Sequence, residues 1–165
     1  LAWWMHLVIF GVVLLVQVSV VPGIGPAGVR PDLVLAWAIS ASILEEKEKI
    51  ALGLAACGGA MVDITVGRFL GLNAALFLAA AIGVRRTLRA FMRPSLFLTV
   101  AVTVAVTVVV EMVRGLLWHS GVAPTAGLHE MLSVALTVGG LSGGAAVLFY
   151  FIILRSVGVS SWEKS

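Results

Sequence analysis

Charge is what this sequence has least of. Only 12% of its 165 residues are Asp, Glu, Lys or Arg, against about 25% in a soluble domain. A water-facing surface is built largely from such residues, so a chain this poor in them is not an ordinary soluble globule. Cysteine is nearly absent as well. The lone Cys57 excludes an intramolecular disulfide and any cysteine-based zinc site. Histidine occurs three times, as the scattered His6, His119 and His129. His129-Glu130 opens like a zinc-protease helix, but Ser133 stands where the second histidine belongs. No Ser or Cys nucleophile has a base at a recognisable spacing, and no glycine loop is shaped to cradle phosphate. These absences predict a chain that is not an enzyme and carries neither cofactor nor metal.

Hydrophobic residues fill the space. They make up 61% of the chain, against about 45–50% in a soluble domain, and mean hydropathy is +1.12. Eighteen glycines agree with membrane helices, where Gly lets backbones approach closely. Net charge is +3. The basic residues flank hydrophobic runs instead of gathering on one face, which argues against a nucleic-acid partner.

The expected fold is all-α: one polytopic membrane domain over 1–165, with six transmembrane helices at 3–21, 32–44, 50–66, 69–84, 95–116 and 131–154. The first run lacks a small-residue cleavage pattern before the next begins, so it is read as a retained helix. The second is short. Twelve residues rise roughly 18 Å as a helix, less than the ~30 Å hydrocarbon core. It is counted as a span, and the charge bias of the six-span arrangement has the expected sense. With both termini cytoplasmic, the inner side of a bacterial inner membrane holds Lys47, Lys49, Arg85, Arg86, Arg89, Arg93, Arg155 and Lys164, and the outer side holds Arg30, Arg68 and Arg114. That is eight cations against three, in the sense positive charge is retained.

Polar residues inside the spans are the candidate sites. Asp63 lies ~21 Å along a helix from Lys49, and Glu111 ~24 Å from Ser95. Both therefore fall towards the outer face, beside Arg68 and Arg114. These four form a predicted outer cluster, with Asp63 or Glu111 pairing an arginine across helices. In the simpler reading, Glu111 and Arg114 neutralise each other at i and i+3 on one helix. Thr99, Thr103, Thr107 and Glu111 recur every four residues on one face, which either packs on a neighbouring helix or lines a solute path. Gly139, Gly140, Gly143 and Gly144 form two overlapping GxxxG pairs, a groove for a helix of this chain or of a partner. Arg85, Arg86, Arg89 and Arg93 make a basic cytoplasmic loop of helical texture. It anchors topology, reaches anionic lipid headgroups, or docks a cytoplasmic protein.

Two stretches add a resemblance. Arg30-Pro31-Asp32-Leu33 opens the second span. Gly59-Ala60-Met61-Val62-Asp63 then leads to Gly67 and to Gly71-Leu72-Asn73-Ala74. In order and spacing, over roughly 30–83, these resemble the bacterial rod-shape-determining MreD family. Read by themselves, Gly67 and Gly71 supply unusual φ for a tight outer turn, and Asn73 caps the entering helix or bonds free backbone groups, with Asp63 facing the turn. The resemblance implies a non-catalytic subunit of the rod-shape elongation machinery. It would bind the single-span periplasmic protein MreC. Through MreC it would connect MreB filaments to the wall-building glycosyltransferase and transpeptidase, supporting peptidoglycan synthesis and cell shape. Glu45-Glu46-Lys47-Glu48-Lys49 is more acidic than that family's inner loop. The family is similar in fold to the substrate-binding subunits of energy-coupling-factor vitamin transporters, which makes such a subunit the alternative. Those subunits carry Ala-xxx-Ala on the first helix, where this chain reads Ile9-Phe10-Gly11-Val12-Val13-Leu14-Leu15.

Overall fold

A computed structural model describes residues 3–19, 30–66, 71–91, 94–119 and 127–157. Among these residues there are six α-helices and no strand: α1 Trp3–Ser19, α2 Leu33–Leu44, α3 Glu48–Val66, α4 Leu72–Phe91, α5 Leu96–His119 and α6 Leu128–Val157. The all-α expectation holds. Two helices contain stretches long and apolar enough to cross a membrane, Leu96–Leu117 in α5 and His129–Arg155 in α6. Val8–Ser19 and Leu33–Leu44 are apolar but shorter.

The short second segment is the centre of the molecule. Every residue of α2 from Val34 to Leu44 is buried, and α2 alone among the described helices packs against all five others. A helix apolar on every side has no face to offer water, so it is buried all round. Two hairpins clasp it: α3 against α4, and α5 against α6, while α1 closes the side beside α2 and α3. Trp37 projects from α2 onto Phe149 of α6, ring edge to face at 5.4 Å between centroids. By contrast α4 and α5 barely meet. Between them lies an apolar cleft of about 450 Å³, walled by residues such as Leu76, Ala80, Val102 and Val106.

Small residues set the close crossings. A Cβ added to Gly59 of α3 would lie 2.4 Å from both Ala74 Cα and Asn73 O, so only glycine admits the start of α4 there. In the other hairpin, a Cβ on Gly143 would lie 2.5 Å from Val104 Cγ2, and one on Gly139 2.9 Å from Val108 Cγ2. Gly140 and Gly144 face open space. The four glycines thus divide. One GxxxG pair seats α5, and the other is exposed.

The threonine stripe faces inward. Thr99, Thr103 and Thr107 are completely buried; Thr99 donates to Ser95 O and Thr103 to Thr99 O. Polarity is therefore inverted relative to a water-soluble fold. Among the described residues, eleven polar ones are buried, while Val8, Val12, Leu15, Ile64, Phe97, Val109, Leu136, Leu148 and Phe151 are each more than half exposed.

One boundary differs from expectation. α4 does not end at Val84 but runs on to Phe91, taking Arg85, Arg86 and Arg89 into its last turns. The basic loop is the end of a helix, because Arg is a good helix former and cations suit a helix C-terminus. Arg93 lies outside the described residues.

Candidate functional site

The polar side chains collect at the two ends of α2. At its N-terminus, Pro31 and Asp32 precede the first helical residue. The Asp32 carboxylate accepts the Leu35 N–H at 2.9 Å, the N-cap arrangement for which Asp is favoured. Three other helices hold this entry. Gln17 of α1 donates to Pro31 O at 3.0 Å and accepts the Leu33 N–H at 2.8 Å. Ser142 of α6 accepts the Asp32 N–H at 2.9 Å.

From α5, Arg114 reaches the other Asp32 oxygen at 3.0 Å through Nη1, which also donates to Glu111 one turn earlier. Its Nε donates to Asn73 Oδ1 at 2.7 Å, and its guanidinium lies 5.5 Å from the Phe77 ring centroid. Asn73 hands the network on, donating through Nδ2 to Asp63 at 2.8 Å. Asp63 also takes the backbone N–H groups of Gly71, Asn73 and Ala74, at 3.0, 3.0 and 3.1 Å. Those are donors the first turn of α4 leaves without partners, so α3 caps α4 with a charge suited to a helix N-terminus. Gly71, at φ +94°, makes the turn into that helix.

The expected outer cluster is partly assembled and partly corrected. Glu111 and Arg114 do pair, within one helix. Asp63 meets no arginine among the described residues, because three N–H groups and the Asn73 amide use both of its oxygens. The acid that Arg114 meets across helices is Asp32, which had been read only as part of the motif opening the second span. Its signal was there: an Asp at a helix start inside an apolar chain caps that helix, and its charge needs a cation. Arg68 and Gly67 lie outside the described residues.

A cleft of about 290 Å³ opens beside this network, lined by Gln17, Arg30, Asp32, Thr65, Glu111 and Arg114 with the apolar walls Val18, Pro31 and Val62. Arg30 is exposed and makes no hydrogen bond or ion pair with the described residues. Glu111 gives one oxygen to Arg114, and the other accepts no hydrogen bond from the described residues.

At the C-terminus of α2, Arg85 of α4 donates to the carbonyls of Ser42, Glu45 and Glu46 at 3.1, 2.9 and 3.3 Å. A guanidinium fork answers several carbonyls at once where the helix ends. Arg85 is only 7% exposed. It therefore does not reach a headgroup, as the reading of the basic loop had it, whereas Arg86 is exposed. Beside it, His6 of α1 lies 2.9 Å from the Glu45 carboxylate, both buried. Among the described residues, no group of three or more His, Cys, Asp or Glu is placed to hold a metal ion.

No known protein family, curated protein or solved structure matches this chain. Function must be argued from the site.

Proposed function

We propose that the chain is a six-span, non-catalytic subunit of the bacterial rod-shape elongation complex, of the MreD type, set in the inner membrane with both termini inside. The inverted polarity carries the membrane part of this reading. Large aliphatic and aromatic side chains line the exterior while Asp32, Asp63, Thr99, Thr103, Thr107 and Ser142 are buried, as a bilayer demands and water forbids. In this orientation the N-terminal end of α2 lies towards the outer face, and the C-terminal end, with Arg85 and Arg86, lies inside.

The two stretches that carry the MreD resemblance also work as one unit. Asp32 and Asp63 each cap a helix, and Asn73 and Arg114 join the caps. Residues at those motif positions thus have a shared physical task. The exposed pair Gly140 and Gly144 offers the flat surface on which the single helix of MreC packs. The vitamin-transporter alternative is less favoured. The larger cleft, of about 450 Å³, is walled almost wholly by aliphatic side chains, and the polar one, of about 290 Å³, is at the lower limit of the ~300–1,000 Å³ of small-molecule sites.

Pull-down of MreC by the Gly140→Leu, Gly144→Leu double variant tests the surface. Recovery should fall while the melting temperature of the variant in detergent stays near that of the parent. Undiminished recovery rejects this face, and failure of the parent chain to recover MreC rejects the assignment. A periplasm-accessible tag at either terminus would overturn the topology.

A further inference from the structure

We propose that the cleft at the N-terminal end of α2 binds a zwitterion of the phosphoethanolamine type, its ammonium against Glu111 and its phosphate against Arg30. The inference goes beyond the assembly role and stands whether or not MreC is the partner.

The argument is one of charge left over after internal pairing. Along the inner wall, Asp32 and Glu111 carry two negative charges against the single positive charge of Arg114. Asp32 gives one oxygen to the Leu35 N–H and the other to Arg114. Of the two acids Glu111 is the more accessible, at 20% exposure against 8%, and its second oxygen accepts no hydrogen bond from the described residues. Arg30, exposed and with no hydrogen bond or ion pair to the described residues, supplies the opposite charge. An occupant that meets both carries a hydrogen-bonding cation and an anion together.

Size selects the small end of that class. About 290 Å³ admits a headgroup-sized moiety, and Val18, Pro31 and Val62 provide an apolar flank for its methylenes. An ammonium brings three N–H donors to a carboxylate. A trimethylated ammonium brings none, so phosphocholine is discriminated against. The same chemistry is available from phosphatidylethanolamine in the surrounding leaflet or from a free small zwitterion, and the experiment separates the two.

The full chain, purified in detergent, is exchanged into phosphatidylcholine nanodiscs doped with either phosphatidylethanolamine or phosphatidylglycerol, and retained lipid is read by native mass spectrometry. Phosphatidylethanolamine should be retained over both other lipids by about tenfold, the worth of one charge-assisted hydrogen bond. Arg30→Glu should abolish that preference. Because Arg30 is exposed and unpaired, its replacement does not threaten the fold. Glu111→Gln should abolish it too. Release of the lipid by water-soluble phosphoethanolamine would assign the site to a free zwitterion; resistance to such release would assign it to the lipid. Equal retention of the ethanolamine and choline lipids, retention of the glycerol lipid at the ethanolamine level, or an undiminished preference in Arg30→Glu would overturn the proposal.

Discussion

The two ends of α2 solve the same problem by different means. A twelve-residue helix buried from Val34 to Leu44 leaves orphaned N–H groups at one end and carbonyls at the other, with little water to meet them. At the C-terminal end one arginine answers neutral carbonyls, and the His6–Glu45 pair beside it is sealed, at 1% and 3% exposure. At the N-terminal end the answer is ionic. Asp32, Glu111, Arg114, Asn73 and Asp63 join side chain to side chain, and a cleft opens beside them. A sealed end fixes the helix. An end with a cleft and unspent charge fixes it and still has bonds to offer.

That contrast ranks the expected effects of mutation. Arg114→Met should be the most damaging single change in the network, by about 3–5 kcal/mol, because it leaves the Asp32 carboxylate buried without its cation. Arg85→Met should cost less, about 1–3 kcal/mol, since the groups it is seen to meet are backbone carbonyls. Thermal unfolding of the two variants in one detergent gives the order. If Arg85→Met proves the worse, the ionic end is not the more demanding one. Adding Asp32→Asn and Glu111→Gln to Arg114→Met sharpens the test. Removing all three charges should recover part of the loss, because the penalty lies in unpaired charge and not in a missing contact.

Next in size is the junction of α3 with α4. Gly59→Ala forces a Cβ into the backbone of Ala74, an overpacking expected to cost about 1–3 kcal/mol. Asp63→Ala should cost a similar ~1–3 kcal/mol, from N–H groups left unsatisfied. Because Asp63 caps the very turn that Gly59 brings close, the two losses should not add. A double variant as unstable as the sum of the singles would show the approach and the cap to be independent.

Much of this arrangement can be read from the chain, and the part that cannot has an identifiable physical cause. Helix positions follow from apolar runs and breakers, and the Glu111–Arg114 pair from i, i+3 spacing, because both depend on neighbours in sequence. The link from Asp63 to Asn73 is also partly visible, since a turn this tight needs an acceptor for the next helix's N–H groups. Asp32–Arg114 and Arg85–Ser42 span 82 and 43 residues, and no local pattern announces which cation finds which helix end. Arg85 is the instructive case. Positioned among four arginines it reads as one more topology anchor, yet its neighbour Arg86 faces out while Arg85 turns in. A one-residue step rotates a side chain by about 100° around the helix, and the α2 carbonyls lie on only one side. The centrality of α2 was likewise hidden by its shortness. Length argued against a span, but the absence of any polar face argued for a helix surrounded by others.

The smallest effect separates the two glycine pairs on α6. Gly143→Ala puts a methyl 2.5 Å from Val104 Cγ2. Valine has essentially one χ1 rotamer in a helix, so α5 must shift, at about 1 kcal/mol or more. Gly144→Ala meets nothing within 4 Å. There the change only stiffens the unfolded chain and improves helix propensity, a gain of up to ~1 kcal/mol. Opposite signs at adjacent positions are therefore expected in isolated protein. MreC recovery should reverse the sensitivity, with Gly143→Ala neutral wherever the protein stays folded and a bulky residue at Gly144 inhibitory. If both positions respond alike in both measurements, the division of α6 into a face for α5 and a face for a partner is wrong.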